Sequence, residues 1–232
     1  MTAPIITVDG PSGSGKGTVS RVLAGILGWH LLDSGALYRL TALSAAKRDV
    51  ADNDVAALVA VAQALSVVFG TDEQGNERVL LDGEDVSTAI RTESCGERAS
   101  IIAALPDVRA ALVDRQRAFA QAPGLVADGR DMGTRIFPES GLKVFLTASA
   151  EERADRRYNQ LKAKGIDVNL AALLRDIEQR DRRDQSRLAA PLKPADDAVV
   201  IDSTSMSVDA VVAAVLALKN ARLGLGALVT PD

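Results

Sequence analysis

The 232 residues carry 27 Lys and Arg against 31 Asp and Glu, a net charge of −4, which argues against general affinity for nucleic acid or an acidic membrane surface. Cys95 is the one cysteine, which excludes an internal disulfide and a cysteine-rich zinc site within one chain. The apolar runs fall short of the ~20 residues of a spanning helix, and the first lacks the basic lead and the length of a signal peptide, so a cytoplasmic location is expected.

The first predicted element is a short buried strand, Pro4–Val8. It runs into Gly10-Pro11-Ser12-Gly13-Ser14-Gly15-Lys16-Gly17-Thr18, after which Val19, Val22, Leu23 and Ile26 recur at helical spacing. Strand, glycine-rich turn and helix in that order build a phosphate cradle. The glycines let the backbone approach an anion closely, and the helix N-terminus adds its positive end. Lys16 supplies a mobile charge for the outer phosphates, and Thr18 a hydroxyl near a metal, directly or through water. That hydroxyl comes one place later than in the common Gly-x4-Gly-Lys-Ser/Thr pattern, because Gly17 intervenes.

A second strand, Leu31–Leu32, ends at Asp33-Ser34-Gly35, which opens a helix carrying Arg39. Those three residues read either as a helix cap or, beside a cradle, as a second anion site at the mouth of the sheet. His30, next to Trp29 at the strand start, reads as a packing residue. The helix–strand rhythm then breaks. Leu65–Phe69 and Arg78–Leu81 are β-type runs joined by the polar turn Thr71–Asn76, and Asp82-Gly83 turns the chain again into Glu84–Val86, giving a small antiparallel meander. Helix returns at Pro106, with Val108, Leu112, Val113 and Phe119 marking its apolar face. Leu125–Ala127, Lys143–Leu146 and Ala198–Ile201 bring the continuous apolar runs to five, the pattern of a parallel sheet covered on both faces and so of a three-layer α/β/α sandwich. The tail from Leu223 onward reads as frayed.

Three charged constellations punctuate this frame. Asp128 ends a strand and leads into Gly129-Arg130-Asp131-Met132-Gly133. An acid so placed beside a phosphate cradle commonly holds magnesium or its waters. Arg130 and Asp131 either meet a ligand from this glycine-flanked loop or form a plain loop ion pair. Glu151–Arg157 opens a helix whose acids suit the helix dipole and whose arginines, Arg156 among them, lie over donor phosphates or face solvent. From Asn169 to Arg187 a third helix shows Leu170, Leu174 and Ile177 as a buried stripe that continues into Asp181 and Asp184. Arg180, Arg183, Asp184 and Arg187 share an arc of roughly 100°, so the charges line a cleft wall or form a solvated face.

The chain thus supplies cations rather than bases. A hydroxyl acceptor benefits from a base, whereas a phosphate acceptor is already ionised near neutral pH. Its difficulty is repulsion: unit charges 4 Å apart cost about 4 kcal/mol at an effective dielectric near 20. Arginines, a lysine, magnesium and the cradle offset that cost and stabilise the transferring phosphoryl group.

Together these residues resemble the bacterial cytidylate kinases, from Ile5 to about Lys219. The most specific stretches run from Leu31 to Arg39, from Ala127 to Gly133 and from Arg180 to Arg187. Nucleoside monophosphate kinases often carry the Gly-Lys-Gly-Thr variant. The resemblance implies a P-loop kinase fold in one kinase domain: a core over about 1–34, 104–150 and 188–222, a monophosphate-binding region with its insert over about 35–103, and a short lid region over 151–187. It implies transfer of the γ-phosphoryl of ATP to CMP or dCMP, with magnesium. A monomer is expected separately, because the sequence shows no exposed apolar stripe to pair. Gly10 through Thr18 and Arg156 would hold ATP, and Thr18 and Asp128 the metal. Ser34 would bind on the acceptor side, Ser100, Arg109 and Asp131 would read cytosine, Arg180 and Asp184 would hold the sugar, and Arg39, Arg130 and Arg187 the phosphate. Lys16, Arg130, Arg180 and Arg187 would be the catalytic cations. Adenylate or uridylate kinase activity is the nearest rival. A GTP switch is disfavoured by the absence of an Asn-Lys-x-Asp guanine reader.

Overall fold

The computed structural model describes residues 3–71, 77–163 and 165–224. In chain order the elements are β1 (Ile5–Asp9), α1 (Lys16–Leu27), β2 (His30–Asp33), α2 (Ser34–Lys47), α3 (Val55–Gln63), β3 (Val67–Thr71), β4 (Glu77–Leu81), β5 (Glu84–Asp85), a 3-10 turn (Ala89–Arg91), α4 (Glu93–Ile102), α5 (Pro106–Arg117), β6 (Leu125–Gly129), a π turn (Met132–Ile136), β7 (Leu142–Thr147), α6 (Ala150–Ala163), α7 (Leu170–Ser186), β8 (Val199–Asp202) and α8 (Val208–Leu223). The chain divides into two compact units, one formed by the residues up to Asp33 together with those from Gln116 onward, the other by Ser34–Arg115.

The first unit is built on a five-stranded sheet in the order β2-β6-β1-β7-β8. Every pairing is parallel, as the five apolar runs predict. All residues of β1 and β6 are buried, so both faces of the central strands are covered. Ile6, Val8, Val126, Leu142 and Val144 pack with Val19 and Leu23 of α1 and Val211, Val212 and Val215 of α8 in one apolar cluster. The expected strand runs stop short at their carboxyl ends. β1, β2, β6 and β8 each continue into an aspartate or glycine because the parallel ladder carries pairing past the last core side chain. In register, Asp33 lies opposite Asp128, and Asp9 opposite Gly129. Three neighbouring strands therefore deliver three acids to one edge, where open α/β sheets bind ligands.

Several expected apolar faces are corrected. Ile26 is 45% exposed, because α1 buries Val19, Leu23 and Leu27, at steps of four, with Ser20 and Ala24 between them. In α7 the buried leucine is Leu173, while Leu174 and Ile177 are half-buried and Leu170 is exposed. The inward line thus starts one turn later but still reaches Asp181 and Asp184, spaced four and seven from Ile177. α5 ends at Arg117, so Phe119 lies in the turn beyond it. His30 is exposed at the start of edge strand β2, its Nε2 3.0 Å from the Ala122 carbonyl oxygen, and is not a packing residue.

The second unit holds the meander, a three-stranded antiparallel sheet in the order β3-β4-β5. The turn expected over Thr71–Asn76 lies outside the described residues apart from Thr71, and the tail expected to fray lies outside them beyond Gly224. In this unit α2 packs against α4, and Arg98 ties the chain together through Asp52 (2.6 Å) and the Ala42 and Val50 carbonyls. Among the described residues no helix is long and apolar enough to cross a membrane.

Candidate active site

The loop between β1 and α1 is shaped by two glycines above all. Gly10, at φ +155°, sits where a Cβ would lie 2.0 Å from the Leu146 carbonyl oxygen, so only glycine fits. Gly15 caps α1 in the left-handed region at φ +88°, which lets the chain turn straight into the helix. Three carbonyl oxygens of this loop, those of Pro11, Ser12 and Ser14, are held by side chains. Lys16 Nζ donates to Pro11 O at 3.0 Å, and Arg153 Nη1 to Ser12 O at 3.0 Å. Ser14 O accepts from Arg156 Nη1 at 3.4 Å and from Ser203 Oγ at 3.2 Å. The Ser14 hydroxyl is buried without a hydrogen-bond partner among the described residues.

Arg153, one of the Glu151–Arg157 arginines read as lying over donor phosphates or facing solvent, received no role of its own from the sequence. It is 4% exposed, reaches the loop from α6, and is itself anchored by both carboxylate oxygens of Asp181 on α7, at 3.1 and 2.5 Å. Arg153 and Arg156 of α6 therefore brace the loop rather than face open solvent. Arg156 is fastened further by Ser203 O (2.6 Å) and by Glu152 one turn back. Ser203 follows the carboxyl end of β8, and nothing local in Asp202-Ser203-Thr204 marks it as a loop contact.

Around Lys16 the unit gathers charge. Burial and the neighbouring Arg130 push the Lys16 ammonium down to about 7, with Arg180 acting the same way and Asp128 and Asp33 opposing. Arg130 Nε donates to Asp184 Oδ2 at 3.0 Å, and Arg187 Nη1 lies 3.9 Å from Asp184 Oδ1. Burial acts to raise the Asp184 carboxyl, but Arg130, Arg187 and Arg180 outweigh it and hold it below the usual carboxylate range. The late helix thus turns Arg180 toward Lys16 and brings Asp184 to Arg130, with Arg187 just past its end beside the same carboxylate. Arg183 is half-buried and Arg182 exposed, its Nη1 3.9 Å from Glu178 Oε2.

Asp9 is a second residue the sequence reading passed over, although it ends β1 immediately before the glycine loop. Its oxygens accept one each from Met132 N and Gly133 N, both at 2.8 Å, which fixes the turn that follows Arg130 and Asp131. Burial pushes its carboxyl up to about 7, against those two backbone bonds and with help from Asp131 and Asp128. Asp131 itself is buried.

Asp128 is buried at the end of β6, and a Cβ on Gly17 would lie 3.1 Å from its Oδ2. Position 17, where the common pattern has its hydroxyl, is therefore kept bare for this carboxylate. Thr18 is exposed, one residue on and about 100° further round α1. Among the described residues no group of three or more His, Cys, Asp or Glu side chains could cage a metal. One buried carboxylate beside a phosphate loop fits Mg2+, which is typically held by one or two carboxylates together with substrate phosphates and water.

In the second unit Ser34 opens α2 and Ser100 lies on α4, both buried. Arg109 is buried on α5, donating to the Ala103 carbonyl at 2.9 Å, with its guanidinium carbon 5.4 Å from the centre of the Tyr38 ring. Arg39 is half-buried on α2, its Nη1 donating to Ile90 O at 2.7 Å and Thr92 O at 3.2 Å.

A family model described as cytidylate kinase matches residues 6–221. The chain belongs to the cytidylate kinase family. A cytidylate kinase of Aeromonas hydrophila is 60% identical over 222 residues, 96% of each chain. One of Colwellia psychrerythraea is 56% identical over 222 residues, covering 96% of this chain and 98% of its own. One of Stutzerimonas stutzeri is 59% identical over 214 residues, covering 92% and 93%. The fold of an uncharacterized protein from Eubacterium ventriosum is similar at a TM-score of 0.50 and 12% identity, over 94% of this chain and 99% of that one. The architecture is the α/β fold of P-loop kinases, a five-stranded parallel sheet accompanied by a small antiparallel one. The chain is an enzyme, a phosphotransferase of the cytidylate kinase family.

Proposed function

We propose that the chain transfers the γ-phosphoryl of ATP to CMP and dCMP, giving ADP and CDP or dCDP. Family membership carries the reaction. The observation that supports it physically is Lys16 lying among Arg130 and Arg180 beside the phosphate loop. Such a site suits two polyanions that must meet, because each buried cation lowers their mutual repulsion.

The donor phosphates bind along Gly10 to Thr18, with Lys16 as the mobile charge and Arg156 held against the loop at Ser14. Asp128, with Thr18 directly or through water, would hold Mg2+, which would supply charge neutralisation to the transferring group. The acceptor roles follow the family's pattern. Asp131, with Ser100 and Arg109, reads cytosine by accepting from its exocyclic amine, the donor that uracil lacks. Asp184, kept ionised by its arginines, holds the sugar with Arg180. Arg39, Arg130 and Arg187 take the phosphate, and Ser34 binds on the acceptor side. No general base is required. Asp9, the carboxyl with the most raised affinity for protons, has both oxygens committed to Met132 and Gly133. The enzyme is read as a cytoplasmic monomer of pyrimidine nucleotide metabolism, with a short lid after Ala150 that excludes water from the transfer.

Turnover with ATP–magnesium against CMP, dCMP, UMP and AMP tests the reading. A clear preference for the cytosine nucleotides is expected, and equal or better use of AMP would overturn it. Asp131→Ala is expected to cost more with CMP than with UMP, and an equal loss would remove the base-reading role from that carboxylate.

A further inference from the structure

Arg39 is seated on a residue that has no side chain. Within the Ser34–Arg115 unit its Nη1 donates to the carbonyls of Ile90 and Thr92, at the approach to α4. The tip of the same guanidinium then crosses the first turn of α4 at Gly96. A Cβ on Gly96 would lie 2.8 Å from Nη2, 2.9 Å from Nη1 and 3.0 Å from Cζ. No protein Cβ tolerates three such contacts, so a side chain at 96 displaces the arginine tip as a whole. The preceding residue adds a further tie, since Cys95 Sγ donates to the Arg39 carbonyl at 3.4 Å.

Gly96 has no backbone reason to be glycine. It lies inside α4, and its N–H donates to Thr92 O at 3.1 Å in the ordinary helical pattern. Alanine is the better helix former at such a position. The glycine therefore works against the helix, and what occupies the vacated space is Arg39.

We propose that Gly96 is a positioning residue for the acceptor phosphate: its missing side chain seats the Arg39 guanidinium on the Ile90 and Thr92 carbonyls. Even a methyl group at 96 pushes the guanidinium tip off those carbonyls. Because the obstacle is the far end of a flexible side chain, the unit yields by moving Arg39 rather than by unfolding. Acceptor binding is weakened while stability is kept or gained. The inference rests on the reading of Arg39 as an acceptor-phosphate residue, and the test separates the two.

Gly96→Ala, Arg39→Met and the double variant are compared with wild type in the full chain, by steady-state kinetics with CMP and with ATP and by thermal melting. Gly96→Ala is expected to melt no lower than wild type, to raise KM for CMP about tenfold, the worth of one charge-assisted hydrogen bond, and to leave KM for ATP within about twofold. The double variant is expected to bind CMP no worse than Arg39→Met, because both changes act through one side chain. If Arg39→Met raises KM for CMP and Gly96→Ala does not, the role of Gly96 is refuted while Arg39 stands. If Arg39→Met leaves KM for CMP unchanged, the reading of Arg39 falls and takes the inference with it. If Gly96→Ala lowers the melting temperature and raises both KM values alike, its role is structural only. Additive losses in the double variant would equally overturn the proposal.

Discussion

Replacing Asp181 with Asn tests how the donor loop is held. Arg153 and Asp181 are 5% and 16% exposed in their side chains and joined by two hydrogen bonds, and the same guanidinium holds Ser12 O. An amide keeps one acceptor oxygen but removes the charge and turns an NH2 toward the arginine. Each hydrogen bond to a charged group is worth about 1.5–3 kcal/mol. Breaking a buried pair from one side costs about 3–5 kcal/mol, because the remaining charge stays desolvated. With one acceptor kept, a loss of about 2–4 kcal/mol is expected, which for a chain of this length lowers Tm by roughly 5–15 °C. The loop should feel it as well. Once Arg153 turns to find other partners, the Ser12 anchor weakens, and KM for ATP is expected to rise about tenfold, one net hydrogen bond. Differential scanning calorimetry and ATP kinetics at saturating CMP measure the two effects. Arg182→Gln is the control, one residue along the helix but 70% exposed, and should change stability by no more than about 0.5 kcal/mol. A Tm within about 2 °C of wild type together with an unchanged KM for ATP would show that the pair neither braces the loop nor matters to the fold.

Lys16 makes donor binding depend on pH. With its ammonium at about 7 in the free enzyme, roughly nine-tenths of Lys16 is neutral at pH 8. Donor phosphates favour the charged form, so ATP binding at pH 8 should take up close to one proton, read by calorimetry in two buffers of different ionisation enthalpy. Lys16→Met should abolish the uptake, and an uptake that survives in that variant belongs to another group. In the free enzyme the same depression has a stability sign. Between about 7 and 10.5 the unfolded lysine holds a proton the folded one has released, so the urea midpoint should gain from this group as pH rises through that window. Asp9 works in the opposite direction. From 3.8 to about 7 the folded carboxyl keeps a proton the unfolded one has lost, so its contribution falls as pH rises. Asp9→Asn should flatten that slope and cost about 1–3 kcal/mol, because one of the two buried N–H groups loses its acceptor. A variant as stable as wild type at pH 7.5, with unchanged CMP kinetics, would strip Asp9 of its hold on the Arg130–Asp131 turn.

The phosphate loop was legible in the chain because its cause is local. A strand, three glycines with positive φ and a helix starting at Lys16 are decided by sterics within twenty residues. The five strands were legible as continuous apolar runs, and the meander as alternating runs between turn residues, because period and burial leave their mark on neighbouring positions. The misjudged helix faces share one cause. Which turn of α7 goes inward was misjudged at Leu170, and which face of α1 is covered was misjudged at Ile26, because exposure depends on what lies opposite and not on the helix itself.

Composition and local pattern thus decided that this chain would make an α/β sheet with a phosphate loop at one strand end, and that it would bring cations rather than bases to it. Only the tertiary structure decided which cations meet which partners. Arg153 finds Ser12 across 141 residues, and Arg130 finds Asp184 across 54. The pairings that place Lys16 among arginines follow from the strand order β2-β6-β1-β7-β8. A periodicity carries no information about strand order, and a charge acquires its energy only from the dielectric and the neighbours that the finished fold puts around it.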